Sequence, residues 1–279
     1  MKKIVIIPNI SKDEELKITE EVVSFLKDKA VLYMDSEFEK SGLLVNYLDK
    51  SVLFDEADYV IVLGGDGTIL NVCGPCGEKN IPVMGINLGR VGFMTEVKVS
   101  DINKACRCLI NDEFKIEKRM MMRVDIVKDN KVTKSYTALN DAVISKISSP
   151  MISIEIHSEK EKINQYQADG LILSTPTGST GYSLSAGGPV CDPTMELFIA
   201  SPICAHMLHA RPALIPSNKE IELMILDDLG KEAIVTIDGN VSDKINANDK
   251  VIIRKSDNYM SIIKFGNQSF YDVLIDKLK

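Results

Sequence analysis

The first 112 residues alternate short apolar runs with stretches of helical hydrophobic spacing. The apolar runs predict β-strands at 4–7, 30–34, 59–63 and 81–86. A capping box formed by Ser11 and Glu14 predicts a helix that continues to about residue 29. Further helices are expected at 42–48 and 101–111. This alternation is typical of a parallel sheet that binds ligands at the carboxyl ends of its strands.

After residue 114 the pattern changes to strict alternation of apolar and polar positions. Turn residues separate these segments, which are typical of antiparallel strands and lie at 123–128, 153–157, 220–225 and 233–237. Residues 271–278 return to helical spacing and are expected to pack back on the first domain. The predicted fold is therefore α/β, with a Rossmann-like parallel-sheet domain over 1–112, a β-rich, sandwich-like domain over 113–265 and a returning C-terminal segment over 266–279.

Composition and charge narrow the classes of partner. The chain has 279 residues, of which 45% are hydrophobic and 26% charged, and a formal net charge of −7. An acidic chain is a poor general ligand for nucleic acids or acidic membranes. The apolar run at 4–7 ends at Pro8 and is too short for a secretory signal, and no apolar run is long enough to cross a membrane. We therefore expect a cytoplasmic protein.

The first candidate site follows the apolar run at 59–63. Gly64, Gly65 and Gly67 allow the backbone to approach a ligand and to adopt positive φ, so that N–H groups can face phosphate oxygens. Thr68 is expected near the start of a helix, whose dipole favours an anion. Asp66 could accept a proton from a hydroxyl or hold a divalent cation. The alternative is an ordinary tight turn between a strand and a helix.

The second candidate site combines a hydroxyl-rich loop with an amide and an acid. A short apolar strand at 171–173 leads into hydroxyl groups at Ser174, Thr175, Thr177, Ser179, Thr180, Tyr182, Ser183 and Ser185. Hydroxyl groups both donate and accept hydrogen bonds, so the set suits ribose, amide and phosphate oxygens. Asn140 and Asp141 could read an adenine edge or hold a ribose diol, although such a pair alone is more typical of a turn.

The cysteines allow a redox or a metal interpretation. Cys73 and Cys76 have the spacing of a thioredoxin-like pair, and Cys106 and Cys108 could add two zinc ligands. Neither pair has the paired spacing of a zinc ribbon, and no tryptophan accompanies the first pair. We expect free thiols in a reducing compartment.

Together these segments resemble the NAD kinase family, which phosphorylates the adenosine 2′-hydroxyl of NAD. The resemblance covers most of the chain. It rests on the residues at 64–68, 85–96, 140–141, 169–189, 211–212 and 238–239. The glycine turn alone would be weak, because lipid kinases and phosphofructokinases carry similar turns. The hydroxyl-rich run that follows it in the expected order is far more specific.

The resemblance implies a role for each matching residue. Asp66 matches the general base for the 2′-hydroxyl, and Gly67 matches an adjoining backbone contact. Asn140 and Asp141 match residues that hold the dinucleotide. Asp169 matches an acid that reaches the cofactor, often across a subunit boundary. The loop around adenine and ribose matches Thr180, Gly181, Tyr182, Ser183, Leu184 and Ser185, with Tyr182 against the base. Gln167 and Asn240 replace a frequent Arg and a frequent Gln of the cofactor site, and Asn71 stands where many members have a basic residue.

The activity that the resemblance implies is transfer of a phosphoryl group from ATP, or another donor such as polyphosphate, to NAD. The phosphates of the donor would be held, together with a divalent metal, Mg²⁺, by Gly64, Gly65, Gly67 and Thr68. The resemblance also implies assembly into a homodimer or homotetramer. Two alternatives stay open at this point. One is a lipid or sugar kinase with the same turn, and the other is a non-catalytic nucleotide sensor.

Overall fold

The computed structural model describes residues 1–89, 92–147, 151–207, 209–226, 232–247, 249–266 and 269–278. The strands are β1 (Lys2–Pro8), β2 (Ala30–Asp35), β3 (Asn46–Leu48), β4 (Tyr59–Gly64), β5 (Val83–Asn87), β6 (Val97–Lys98), β7 (Lys115–Lys128), β8 (Lys131–Ala138), β9 (Asp141–Lys146), β10 (Ile152–Ser158), β11 (Glu161–Ala168), β12 (Gly170–Ser174), β13 (Leu197–Ile203), β14 (Ala213–Pro216), β15 (Ile221–Ile225), β16 (Ala233–Ile237), β17 (Asn240–Ile245) and β18 (Lys250–Lys264). The α-helices are α1 (Lys17–Leu26), α2 (Asp66–Leu70), α3 (Cys73–Glu78), α4 (Ile102–Ile110), α5 (Tyr182–Ser185) and α6 (Phe270–Leu278).

The chain forms two units, one of residues 1–118 with 259–279 and one of residues 119–258. The first unit contains the parallel sheet that the alternating pattern predicts. Its strands are hydrogen-bonded in the order β3-β2-β1-β4-β5, and every neighbouring pair is parallel. β4 is buried from Val60 to Gly64, because a parallel sheet is covered on both faces. Helices α1 and α4 contribute apolar side chains to the same core.

Two local predictions for the first unit are wrong. The helix α1 begins at Lys17 because the carboxylate of Asp13 accepts the backbone N–H groups of Ile18 and Thr19, at 3.1 and 2.9 Å. Ser11 does not cap this helix, since its hydroxyl donates to the side-chain oxygen of Asn9 at 2.7 Å.

The helix expected over 42–48 is also absent from the structure. A 3₁₀ helix spans Ser36–Ser41 instead, and β3 follows it over Asn46–Leu48. Gly42 ends the 3₁₀ helix with a left-handed φ of 70°, a conformation that glycine adopts without strain.

The C-terminal helix packs on the first unit, as predicted. The ring of Phe270 in α6 lies 5.6 Å from the ring of Phe93. Just before α6, the carboxylate of Glu96 accepts the N–H of Phe265 at 2.6 Å and pairs with Lys264 at 3.0 Å. These contacts fix the segment that leads into α6 against the first unit.

The second unit contains two antiparallel β-sheets. One is a separate six-stranded sheet with the order β14-β13-β12-β9-β16-β17. The other, β11-β10-β15-β18 with β7 and β8, is the antiparallel part of a mixed sheet of twelve strands, in which β18 is also the parallel neighbour of β5. Buried apolar side chains of both sheets form one core, among them Ile154 and Leu223 from one sheet and Leu171 and Val235 from the other. This arrangement confirms the sandwich-like prediction. None of the helices in the described part of the chain combines the length and the apolar character that a membrane span requires.

Candidate functional site

The glycine turn lies at the carboxyl end of β4, and α2 begins within it at Asp66. Gly65 is extended, with φ of −126° and ψ of −171°, and the described glycines with positive φ are Gly42, Gly187 and Gly239. The expectation that the turn glycines adopt positive φ is therefore wrong. Gly64 is required for another reason, because a Cβ there would lie 2.2 Å from Oγ1 of Thr68. At Gly64, therefore, the turn needs glycine for close packing, whereas a Cβ on Gly67 would meet no atom within 4 Å.

The carboxylate of Asp66 is held by the segment that follows Gly92. Its Oδ2 accepts the N–H of Phe93 at 2.8 Å, and its Oδ1 accepts the N–H groups of Met94 and Thr95 at 3.0 and 3.2 Å. The hydroxyl of Thr95 also donates to Oδ1 at 3.3 Å. A Cβ on Gly92 would lie only 2.0 Å from Oδ1. Within the described residues Oδ1 thus takes three donors and Oδ2 one, so Oδ2 has more capacity for a further proton donor.

The buried side chain of Asn87 holds Thr95, one of the residues that donate to the Asp66 carboxylate. The amide of Asn87, at the end of β5, donates to Oγ1 of Thr95 at 2.8 Å and accepts the N–H of Gly89 at 2.7 Å. Both side chains are buried. Residues 85–96 contributed to the family resemblance, but Arg90 and Val91 lie outside the described residues.

In the second unit, Asp238 organises the segment that carries Asn140 and Asp141. The hairpin from β16 to β17 turns on Asp238 and Gly239, which have φ of 47° and 82°, as a two-residue hairpin turn of the I′ class requires. The Asp238 carboxylate accepts the N–H groups of Leu139, Asn140 and Asp141 at 2.8, 2.8 and 3.0 Å. Three backbone donors therefore fix the conformation of this segment.

The side chains of this segment have unusual environments. Burial, and then the nearby charge of Asp238, raises the pKa of Asp141 from 3.8 to about 7. Oδ1 of Asn140 and Oγ1 of Thr177 are buried and have no hydrogen-bond partner in the described part of the chain. Buried polar atoms without partners are uncommon in proteins. Their presence here suggests that a ligand supplies the missing bonds.

The hydroxyl-rich loop is partly used to hold itself together, contrary to the expectation that its hydroxyl groups face a ligand as one set. Thr175 Oγ1 donates to the carbonyl of Leu139 at 2.6 Å. Ser183 Oγ lies 2.9 Å from Ser201 Oγ, and both side chains are buried. The positions that reach solvent include Gly181, Tyr182 and Ser185, while Thr180 and Leu184 are half-buried.

The remaining predicted residues of the second unit lie on its surface. Gln167 is exposed at the end of β11, and Asn240 is exposed at the start of β17. Asp169 forms an ion pair with Lys146, with 2.6 Å between Oδ1 and Nζ. Asp169 therefore already has a cationic partner within its own chain.

The cysteine pair of α3 has the environment of packing residues. Cys73 and Cys76 are 3% and 1% exposed. Burial raises the pKa of the Cys76 thiol far above its ordinary value. A thiol that stays protonated is a weak nucleophile and a weak metal ligand, so the structure does not favour the redox interpretation.

Several residues at these sites were not predicted. Asp238 had a sequence signal, because an Asp-Gly pair between alternating apolar positions is typical of a hairpin turn. Thr177 was named among the hydroxyl groups of the loop but not as a binding residue. Asn87 and Thr95 lie in the segment 85–96 that contributed to the family resemblance, but no role was assigned to them, since their importance depends on which groups they contact.

The comparisons with known proteins agree with the motifs. Residues 4–114 match the model of the ATP-NAD kinase N-terminal domain, and residues 139–265 match the model of the ATP-NAD kinase C-terminal domain. The chain is 38% identical to the NAD kinase of Caldanaerobacter subterraneus subsp. tengcongensis, over 100% of this chain and 99% of the relative. It is 37% identical to the NAD kinase of Acetivibrio thermocellus, over 100% and 97%.

Two solved structures share the fold. Yeast NADH kinase complexed with NADH matches with a TM-score of 0.90 and 22% identity, over 100% of this chain and 87% of that chain. The NAD kinase from Archaeoglobus fulgidus in complex with ATP matches with a TM-score of 0.75 and 24% identity, over 99% and 98%. The family resemblance seen in the motifs is confirmed by the domain matches and by the full-length relatives, and this chain belongs to the NAD kinase family.

Proposed function

We propose that this protein transfers a phosphoryl group from ATP, or another phosphate donor, to the 2′-hydroxyl of the adenosine ribose of NAD, giving NADP. Membership of the NAD kinase family supports the reaction class. The observation that carries the proposal for this chain is the Asp66 carboxylate, which four hydrogen bonds hold at the glycine turn. A fixed carboxylate beside such a turn suits the role of a general base.

In the proposed reaction Asp66 Oδ2 accepts the proton of the 2′-hydroxyl. The ribose oxygen forms a bond to the terminal phosphorus of the donor, while the bond from that phosphorus to the leaving oxygen breaks, giving ADP when ATP is the donor. Phosphoryl transfer depends mainly on positioning and charge stabilisation. The N–H groups of Phe93, Met94 and Thr95 position the carboxylate.

The proposal assigns the dinucleotide to the residues of the second unit. The partnerless Oδ1 of Asn140 and Oγ1 of Thr177 would gain hydrogen bonds from a ligand. With a pKa of about 7, Asp141 can donate or accept a hydrogen bond near neutral pH. Tyr182 is 49% exposed and available to stack on the adenine. The contacts expected from Gly67, Gln167, Asp169, Thr180, Gly181, Ser183, Leu184, Ser185 and Asn240 stay predictions.

Mg²⁺ is part of the proposal as a companion of the donor phosphates. No group of three or more His, Cys, Asp and Glu side chains that could hold a metal is found among the described residues. Mg²⁺ often binds through substrate phosphates with few protein ligands. No step above depends on a metal site formed by the described residues alone.

Assembly into a homodimer or homotetramer and a cytoplasmic location also stay proposals. Mixing Asp169→Ala subunits with Asp66→Asn subunits tests whether an active site is shared between chains. Partial recovery of activity is expected if some mixed sites contain both intact residues. A fully active monomer in sedimentation, or no recovery after proven subunit exchange, would reject a shared site.

The central experiment compares wild type with Asp66→Asn in an assay that contains NAD, ATP and Mg²⁺ and detects NADP. The amide cannot accept the proton, so kcat should fall on the order of 10²–10⁴-fold. NAD binding, measured by calorimetry, should persist, and circular dichroism checks the fold. The exposed Asp129→Asn serves as the matched control.

Two results would contradict the proposal. If Asp66→Asn keeps more than about a tenth of wild-type turnover, Asp66 is not the base. If wild type binds NAD but forms no NADP with ATP or polyphosphate, the protein is a nucleotide sensor and not a kinase.

A further inference from the structure

Lys12 lies beside the glycine turn, although no sequence pattern had drawn attention to it. Its Nζ lies 3.3 Å from the position that a Cβ on Gly65 would occupy and 3.6 Å from the corresponding position on Gly89. Because neither glycine has a side chain, neither of them fills the space beside the ammonium group. The side chain of Lys12 therefore reaches the turn that presents Asp66.

The loop that carries Lys12 is fastened to this turn by hydrogen bonds. Lys12 N–H donates to the carbonyl of Asn9 at 3.0 Å, and Asn9 N–H donates to the carbonyl of Leu63 at 2.9 Å. The side-chain amide of Asn9 donates to Oγ1 of Thr68 at 2.9 Å. β1 and β4 are parallel neighbours, so the loops at their carboxyl ends meet at one edge of the sheet. The position of Lys12 thus follows from the fold.

Within the described residues, the ammonium group of Lys12 forms no ion pair and no hydrogen bond. The lysines near Lys12 in the sequence are paired: Lys2 with Asp112, Lys3 with Glu56 and Lys17 with Glu15. An unpaired ammonium group next to two glycines is a suitable contact for a phosphate oxygen.

The acidic composition of the chain makes a cation at this turn favourable for binding phosphate. The net charge is −7, and Asp66 adds a negative charge at the turn itself. Asn71, at the end of α2, is a neutral, exposed residue. A positive charge from another part of the chain would therefore favour the approach of a phosphate donor to this turn.

We propose that Lys12 Nζ binds the phosphate chain of the phosphoryl donor, an inference that rests on the proposed kinase activity. The donor is favoured over the diphosphate of NAD because Lys12 lies at Gly65, the residue directly before Asp66. The donor's terminal phosphorus must lie in line with the hydroxyl that Asp66 deprotonates. The charge of Lys12 would stabilise the negative charge on the transferring group and on the leaving phosphates.

The test measures binding directly, by calorimetry on the full chain with Mg·ATP, inorganic tripolyphosphate and NAD as separate probes. Lys12→Met removes the charge and keeps a long side chain, and Lys12→Arg keeps the charge. Lys17→Met is the matched control, because Lys17 is an exposed lysine of the same segment. We expect Lys12→Met to raise the Kd of Mg·ATP and of tripolyphosphate about tenfold or more. Lys12→Arg and Lys17→Met should bind nearly as wild type does, and the Kd of NAD should stay unchanged in all three variants.

Steady-state kinetics give a second readout, in which Lys12→Met should raise the KM for ATP and leave the KM for NAD unchanged. An unchanged Kd of Mg·ATP in Lys12→Met overturns the inference, and so does a wild-type protein that binds neither probe at millimolar concentration. Equal weakening of NAD and ATP binding would assign Lys12 to the dinucleotide and overturn it too. If Lys12 governs ATP binding but no NADP forms, the inference stands and the proposed kinase activity fails.

Discussion

Replacing Asp141 by Asn should change how the stability of the protein depends on pH. Asp141 is 6% exposed, and its carboxyl group has a pKa of about 7 because of burial and the charge of Asp238. In the unfolded chain the same group has its ordinary value of 3.8. The folded state therefore binds more protons than the unfolded state between these two pH values.

The sign and size of the effect follow from this difference. The stabilising contribution of protonated Asp141 is fully present below about pH 4, falls as pH rises and is lost above about pH 7. A difference of one pKa unit corresponds to about 1.4 kcal/mol, so wild type should lose about 3 kcal/mol from this group between pH 5 and pH 8. The amide of the Asp141→Asn variant cannot ionise, so the variant should gain about 3 kcal/mol relative to wild type across the same interval.

The measurement is the unfolding free energy from urea denaturation, or the Tm, at half-unit pH steps from 5 to 8. At this chain length the relative gain corresponds to roughly 6–12 °C in Tm. Asp257→Asn is the matched control because Asp257 is an exposed carboxylate of the same unit, and its curve should run parallel to that of wild type. Parallel curves for Asp141→Asn and wild type would show that Asp141 does not titrate near neutral pH, and the reasoning from burial would be refuted.

Three further variants test the geometry of the sites. Gly92→Ala should lower kcat at least about tenfold, because a Cβ 2.0 Å from Oδ1 of Asp66 must displace the carboxylate that we propose as the base. Cys73→Ser with Cys76→Ser should leave the turnover close to that of wild type, since buried thiols act as small apolar groups. Asp238→Asn keeps a residue that tolerates positive φ but leaves one N–H of residues 139–141 without an acceptor, so urea denaturation at pH 5.5 should show a loss of about 1–3 kcal/mol.

Each of these outcomes has a control or a contrary result. Gly74→Ala, whose added Cβ would meet no atom within 4 Å, should be active, and full activity of Gly92→Ala would show that the position of Asp66 does not depend on Gly92. Stoichiometric zinc in the purified protein, or loss of activity in reducing buffer, would restore the metal or redox interpretation of the cysteines. An undiminished stability of Asp238→Asn would mean that residues 139–141 do not depend on this carboxylate.

The sequence predicted most of the fold because its signals are local. The continuous apolar run at 59–63 and the alternation of apolar and polar residues at 233–237 are both patterns of β-strands. The structure has strands at both places, Tyr59–Gly64 and Ala233–Ile237. The capping box at Ser11 failed because Asn9, a residue outside the box, binds its hydroxyl. Asp13 then caps α1 from a position that the box pattern does not consider.

The sequence by itself determined which residues are candidates for the chemistry, and the tertiary structure decided what surrounds each of them. Asp66 is recognisable from the glycines beside it, but the N–H groups that hold its carboxylate come from residues 27 to 29 positions further along the chain. Asp141 is recognisable beside Asn140, but its pKa depends on burial and on Asp238, which lies 97 positions away. The pattern of a segment specifies its period and its turns, whereas burial, charge proximity and the direction of backbone N–H groups exist only once distant segments have packed together.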